Sequence, residues 1–493
     1  MHPFAKSALS GLMGTALAVW VFEDWRGRHE WAQFLKAQTA RGESFDYTRL
    51  LPPPVPSERN FAHCPQLRPL LDYKLAEGAS GRVLRDPEGH KRALALFQFR
   101  STNEMPALHG WKRGERASMA QWRDYLAGDK HLPRPAKAGD PAADVLIALG
   151  GMQAELAALA KAAQERPQSR FDVDYKAHFQ VLLPHLAVLR TAAQALSLRA
   201  LARLNAGDIP GAGADVELAL FLAEAIATEP TLISHLVRIA IINNALQCVW
   251  EGLSRHQWTS PQLRAMQERL AGVDLLAHYQ LAMLAERDFA NLMMDEVAAG
   301  NRKLLPALMD QSGAGATVAL RVVPEGWLRQ NQARYTRVHM DYVSPIVDVN
   351  QRRMHPDMAR RFDTEIANSG LRGPYNLMMR LLMPALGAVS KRCNATQGAV
   401  DQALIACALE RHAQEHARLP ETLEALVPRW LPKVPQDLVA GKPMKFEPQP
   451  GGGYRLYAVG WNQKDDGGQP GVSKAGKGED LSQGDLVWLM PGR

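Results

Sequence analysis

TLISHLVRIAIINNALQCVWEGLS, residues Thr231 to Ser254, carries apolar side chains at three- and four-residue spacing without a proline or an interior loop signal. That period predicts a helix, and it recurs in Ala142 to Gln164, His178 to Asn205, Ala214 to Thr228 and Ala277 to Ala299. In the last of these, Leu281, Ala285, Phe289, Leu292, Met293 and Val297 form one stripe. Arg166-Pro167, Gly207 to Gly213, Glu229-Pro230, Ser260-Pro261 and Gly300-Asn301 punctuate the series. The expected body, residues 118–386, is therefore a stack of antiparallel helix pairs. The fold class is mainly α.

The whole chain has 493 residues, 46% of them apolar and 22% charged, a composition that excludes both a polytopic membrane protein and a disordered chain. Its net charge of +7 is too diluted by length to indicate a nucleic-acid partner. The 4 cysteines form no C-x-x-C pair, which excludes a zinc ribbon. Cys393 and Cys407 are a candidate pair in an oxidising compartment, whereas Cys248 and Cys407 also read as small core residues of helices. The hairpin from Leu196 to Ala227 resembles a tetratricopeptide unit, but no second copy follows at a period of about 34 residues.

The N-terminus adds a different signal. Ala8 to Phe22 (ALSGLMGTALAVWVF) is uncharged, preceded by Lys6 and closed by Glu23, Asp24, Trp25 and Arg26. At 1.5 Å per residue the run spans about 22 Å, short of a roughly 30 Å hydrocarbon core, although Trp20 and Trp25 suit an interface. A single-pass signal anchor within 1–26, entering the membrane through residues 8–22, is preferred to a cleaved signal peptide at Ala16-Leu17-Ala18 and to a buried helix. Arg26, Arg28 and Lys36 oppose the positive-inside rule, but a very short tail before one long domain favours an outward-facing body. Residues 27–117 then read as a mixed α+β segment. It holds a short helix at Glu30 to Gln38, a polyproline spacer at Leu51 to Pro56, a turn at Asp86-Pro87-Glu88-Gly89 and a strand at Arg92 to Phe99.

The last hundred residues, 387–493, form a separate expected unit. A helix from Ala395 to His416 leads into Arg418-Leu419-Pro420, Val434-Pro435-Gln436-Asp437 and Gly441-Lys442-Pro443-Met444-Lys445-Phe446. A strand at Tyr454 to Val459 and the polar loop Gly460 to Gly468 follow, then Gly484-Asp485-Leu486-Val487-Trp488. This order resembles the globular domain of the major pseudopilin (G type) of type II secretion systems. Leu438, Phe446 and Asn462 stand where that family has Pro, Tyr and Asp, and the prepilin start of the family is absent. The resemblance implies a small α+β pseudopilin-like domain with an antiparallel sheet and a calcium-binding loop. The arrangement as a whole also resembles uncharacterised membrane-anchored bacterial proteins, which implies a bacterial inner-membrane location with the bulk in the periplasm. The loop itself offers Asn462, Asp465, Asp466, Asp480 and Asp485 as oxygen ligands for Ca2+. Its alternative is a solvated turn in which Asp caps backbone N–H groups.

One stretch has the spelling of an enzyme. His412-Ala413-Gln414-Glu415-His416 is H-x-x-E-H, in which two imidazoles one helical turn apart ligate zinc and Glu415 activates water. A third ligand would have to be Glu421, Glu424, Glu447 or Glu479, and the stretch reads better as a solvated helix end, where Arg411 and His412 suit the negative end of the helix dipole. G-x-S-x-G, Walker-type and dinucleotide-binding motifs are absent; Gly313-Ala314-Gly315 sits in a loop setting, and the basic strings at Lys112-Arg113, Arg352-Arg353 and Arg360-Arg361 read as solvated faces. The expected function is a membrane-anchored, outward-facing scaffold or interaction protein with an unidentified protein partner, and the alternative is a zinc hydrolase.

Overall fold

A computed structural model describes residues 3–75, 82–108, 110–301, 324–368, 376, 379, 383, 386–473 and 479–492. The Gly313-Ala314-Gly315 loop lies outside them. The chain is mainly helical, with small antiparallel sheets concentrated near the C-terminus.

Helix α1, Pro3–Ala40, is one uninterrupted element, so the expected anchor and the expected helix at Glu30 to Gln38 are a single rod of 38 residues. The hairpin β1–β2 (Tyr73–Leu75 and Arg82–Leu84) precedes α2, Pro87–Ala95. Here the expected strand at Arg92 to Phe99 is corrected. Asp86 is a helix N-cap, accepting from Gly89 N at 2.7 Å, and Pro87 takes the first helical position. The proline has no N–H to lose there and its fixed φ starts the helix, so Asp-Pro-Glu-Gly opens a helix rather than turning into a strand.

Helices α3 (Met119–Ala127), α4 (Pro141–Leu149) and α5 (Gln153–Glu165) follow, the last two separated by a 3-10 turn at Gly150–Met152. The hairpin of α6 (Pro184–Ala206) and α7 (Ile209–Glu224) turns at Gly207, φ 82°, and Asp208 caps α7 through Gly211 N. A buried bidentate pair locks the hairpin: Asp215 accepts from Arg199 at 2.6 and 2.9 Å and from Arg203 at 2.8 Å. Helix α8, Leu232–Ser254, is the predicted helix of the opening stretch, with Thr231 as its cap. Then come α9 (Ser260–Ala271), α10 (Leu275–Ala298), α11 (Glu325–Val338), the two-residue ladder of β3 (Val347–Asp348) with β4 (Arg353–Met354), α12 (Pro356–Asn368) and α13 (Leu386–His416).

The tail after α13 carries a three-stranded antiparallel sheet in the order β5 (Lys445–Pro448), β6 (Tyr454–Ala458), β9 (Leu486–Met490). A separate hairpin pairs β7 (Pro470–Val472) with β8 (Glu479–Gly484). Helix α13 is buried along most of its length and packs against α8, α9 and β9. Gln402 Nε2 donates to Leu486 O at 2.7 Å, and Trp250 Nε1 of α8 donates to Leu489 O at 2.8 Å. One cluster of buried apolar side chains consequently runs from Phe61 to Met490.

The four cysteines are buried and free. Cys393 and Cys407 cannot pair, because both lie on α13 and fourteen helical residues separate them by about 21 Å. The basic string at Arg352-Arg353 is also corrected. Arg353 donates to Leu438 O and Val439 O, and Arg352 pairs with the buried Asp401 at 3.1 Å, so both bind the tail to the body.

Candidate membrane interface

The apolar stretch of α1 just before Glu23 is exposed. Leu17 is 63% exposed, Phe22 56% and Trp25 60%, and Val19, Trp20 and Val21 are exposed beside them. A helix that is apolar around its circumference is stable only inside a core or a bilayer. Helical backbone from Pro3 to Phe22 covers about 30 Å at 1.5 Å per residue, the thickness that the fifteen-residue run alone failed to reach. Two internal segments, Pro141–Glu165 and Leu232–Ser254, have the length and composition to cross a membrane, but most of the second window and nearly half of the first are buried.

Directly after the exposed run, α1 docks on α11. Gly27 and Gly326 face each other so closely that a Cβ on either would overlap the opposing backbone, which is why the crossing needs glycine on both helices. Glu23 accepts from Arg26 at 2.8 Å, from Trp327 Nε1 at 3.2 Å and from Gln330 Nε2 at 3.2 Å. Asp24 accepts from Gly326 N at 2.9 Å, and Arg28 bridges Asp24 and Glu325 at 2.7 and 2.8 Å. The charged residues that merely closed the apolar run in the sequence thus form a clasp. Higher up, Trp31 and Phe34 pack with Ala333, and the buried Arg287 donates to Ser44 O at 2.7 Å while lying 4.6 Å from the Phe45 ring.

Behind the joint, α10 and α11 enclose titratable groups that the sequence did not single out. Burial pushes the Glu286 carboxyl up to about 7, against one hydrogen bond from Leu232 N at 3.3 Å. Burial and the Arg287 charge lower His339 to about 3, and burial, again with an Arg nearby, lowers His278 to about 3. Further into the core, His185 meets Glu229 at 2.7 Å and His278 Nε2 bonds Glu229 O at 3.0 Å, while neither ring nitrogen of the buried His235 has a partner. Only the stacking of α6, α8 and α10 reveals this cluster, since its members are far apart in the chain.

The residues singled out from the sequence are placed as follows. Asp485 Oδ2 accepts from Asp466 N at 3.0 Å and Gly468 N at 2.7 Å, and its buried Oδ1 has no partner. Asn462 donates to Asp466 at 2.7 Å, Asp465 is ion-paired with Lys445, and Asp480 accepts from Ser482 N at 2.9 Å on β8. Asp466, Asp485 and Asn462 come together; Asp465 and Asp480 are engaged elsewhere. No group of three or more His, Cys, Asp or Glu among the described residues has the geometry of a metal centre. With two carboxylates at the loop's centre, too few for an all-protein calcium cage, millimolar calcium is expected to stabilise the chain by less than about 1 kcal/mol. A calcium titration of the melting temperature checks this. A large rise that Asp485→Asn abolishes would establish the cradle instead.

In H-x-x-E-H, His412 Nδ1 donates to Arg418 O at 3.0 Å, Glu415 is paired with Arg429, and the rings of His412 and His416 stack edge-on with each other and with Trp430. Of the four candidate third ligands, Glu447 is held by Arg455 and Tyr457, and Glu479 by Lys112. A different trio is brought together only by folding: Ser57 Oγ lies 2.9 Å from His63 Nδ1, and Asp172 3.5 Å from His63 Nε2. Serine hydrolases place these partners on the opposite ring nitrogens and shield the carboxylate, whereas Asp172 is 63% exposed. That trio is a surface relay without the shielding acyl transfer needs.

No family profile, no curated protein and no solved structure matches this chain.

Proposed function

We propose that this chain is a single-pass, membrane-anchored scaffold whose helical body is held at a fixed attitude to the bilayer by one continuous helix. The observation that carries the reading is α1 itself: a helix whose apolar Leu17, Val19, Trp20, Val21 and Phe22 are exposed runs, without a break, into a part clasped to α11. An ordinary anchor joined by a flexible linker lets its domain tumble. Here the glycine contact, the Glu23–Asp24 clasp and the Arg287 bond to Ser44 transmit the helix direction to the core. A rigid, outward-facing body with a pseudopilin-like tail suits a protein that positions a partner at the envelope, as the resemblance of the last hundred residues implies.

Carbonate extraction and protease accessibility test this reading. The full chain is expected in the carbonate-resistant membrane fraction, with its body digested from the outer side of spheroplasts. A variant lacking residues 3–22 is expected in the soluble fraction. A full chain that is soluble and monodisperse without detergent overturns the proposal.

A further inference from the structure

Residues between Ser57 and Lys74, Arg85 just after β2, and Arg170 to Val173 wall a cavity of about 770 Å³. That volume falls within the roughly 300–1,000 Å³ of small-molecule sites. The buried Asn60 fixes the first wall to the last. Its side chain donates to Arg170 O at 2.8 Å and accepts from Arg170 N at 2.9 Å. Beside it, Phe61 N donates to Gln168 O at 2.7 Å and Gln168 N to Arg59 O at 3.2 Å. Asn60 also caps the turn that carries His63, accepting from Ala62 N at 3.1 Å. Arg85 is tied in twice, its N–H donating to Asp72 O at 2.9 Å and its guanidinium meeting the Asp72 carboxylate at 3.1 Å. The backbone that carries Arg170, His63 and Arg85 is therefore set before any ligand arrives, which lowers the cost of binding one.

The lining is polar and unevenly charged. Arg68, Lys74, Arg85 and Arg170 face Asp72 and Asp172, four cations against two acids and an excess of two positive charges. Both acids are engaged, Asp72 by Arg85 and Asp172 by His63 at 3.5 Å. Among the described residues, no carboxylate pairs with the side chains of Arg68, Lys74 or Arg170. Cations gathered without counter-charge repel one another, and a bound anion relieves that repulsion. Ser57 and His63, 2.9 Å apart, add a hydroxyl and an imidazole to the same wall. A carboxylate ligand carries one negative charge and leaves half the excess standing. A phosphate monoester carries about two at neutral pH and presents three acceptor oxygens, which matches both the excess and the three unpaired cations. Ala62, Leu71 and Val173 give the wall an apolar remainder for the organic part.

We propose that this cavity binds a phosphate monoester, its phosphate held by Arg68, Lys74 and Arg170. Binding here is independent of whether α1 enters a bilayer. The test is calorimetric titration of the full chain in nonionic detergent with glycerol 3-phosphate at low ionic strength, with glycerol and sulfate as comparisons. Saturable binding of glycerol 3-phosphate is expected, and none of glycerol. R170Q and the double variant R68Q/K74Q are each expected to weaken it about tenfold, one charge-assisted hydrogen bond's worth, at an unchanged melting temperature. Arg68 and Lys74 are exposed, so the double variant reads the site even where R170Q disturbs the fold. Affinity unchanged in both variants overturns the site, as does the absence of saturable binding at millimolar ester. Sulfate bound as tightly as the ester reduces the cavity to a general anion trap and overturns the ligand class. Phosphatidate added to the micelles separates the two sources of the group: displacement of glycerol 3-phosphate at equal concentration supports the site with a lipid phosphate, and failure to displace it supports the site with a soluble ester.

Discussion

Gly326→Val is expected to separate α1 from α11 and to cost about 3 kcal/mol, the upper end of what overpacking usually exacts. The reason is geometric. The added Cβ would fall on the backbone of Glu23 and Asp24, and backbone cannot rotate out of the way as a side chain can. Relief requires one helix to move, which also breaks the Gly326 N bond to Asp24 and loosens the Arg28 bridge to Glu325. Gly27→Val meets the Gly326 carbonyl from the other side and is expected to behave alike. Gly14 is the control, because nothing lies within 4 Å of a Cβ built there. Urea denaturation of the three variants, together with limited proteolysis of residues 23–45, reads both the energy and the place. Native-like stability of the Gly326 variant would mean that α1 does not dock as described, and the fixed attitude of the body would go with it.

Glu286→Gln is expected to stabilise the protein at neutral and alkaline pH and to leave it unchanged near pH 4. A carboxyl whose folded value is about 7, against an ordinary 4.5, holds its proton more tightly in the folded chain. Its stabilising contribution is complete below pH 4.5 and disappears as pH rises through 7. The gap of about 2.5 units amounts to roughly 3 kcal/mol at pH 8, which the neutral amide does not forfeit. The amide oxygen can still accept from Leu232 N. His278 and His339, both lowered to about 3, act in the opposite sense. They are neutral in the folded chain but take up protons when it unfolds, so stability drains away as pH falls from about 6.5 toward 3. Because both forms share those histidines, the difference between wild type and variant isolates Glu286. Denaturation midpoints from pH 4 to 8 check it, and two parallel curves would show that the carboxyl titrates normally.

The local signals in this chain were legible. Thr231 to Ser254 is a helix within one residue of its expected bounds, and the glycine and aspartate at 207 and 208 turn α6 into α7 as such a pair should. Asp86-Pro87 misled because the same two residues serve a turn and a helix start; only the partner of the Asp86 carboxylate, Gly89 N, distinguishes them. In the tail, the expected strand at Tyr454 was present, but the acidic loop's residues disperse, since Lys445 and the strand backbone capture two of the five.

Helix periods, caps and the apolar run at the N-terminus follow from side-chain order along a few turns, so the sequence alone determined a mainly helical chain with an apolar leader. Contacts between residues three hundred positions apart follow from how those helices stack. Gly27 against Gly326, Glu23 beneath Trp327 and Gln330, and Arg337 beside Glu30 have no signature in either segment read singly. Only the tertiary structure decided that the leader is rigidly joined to the core, because close backbone approach and charge pairing depend on the distance between helices, which no local pattern records.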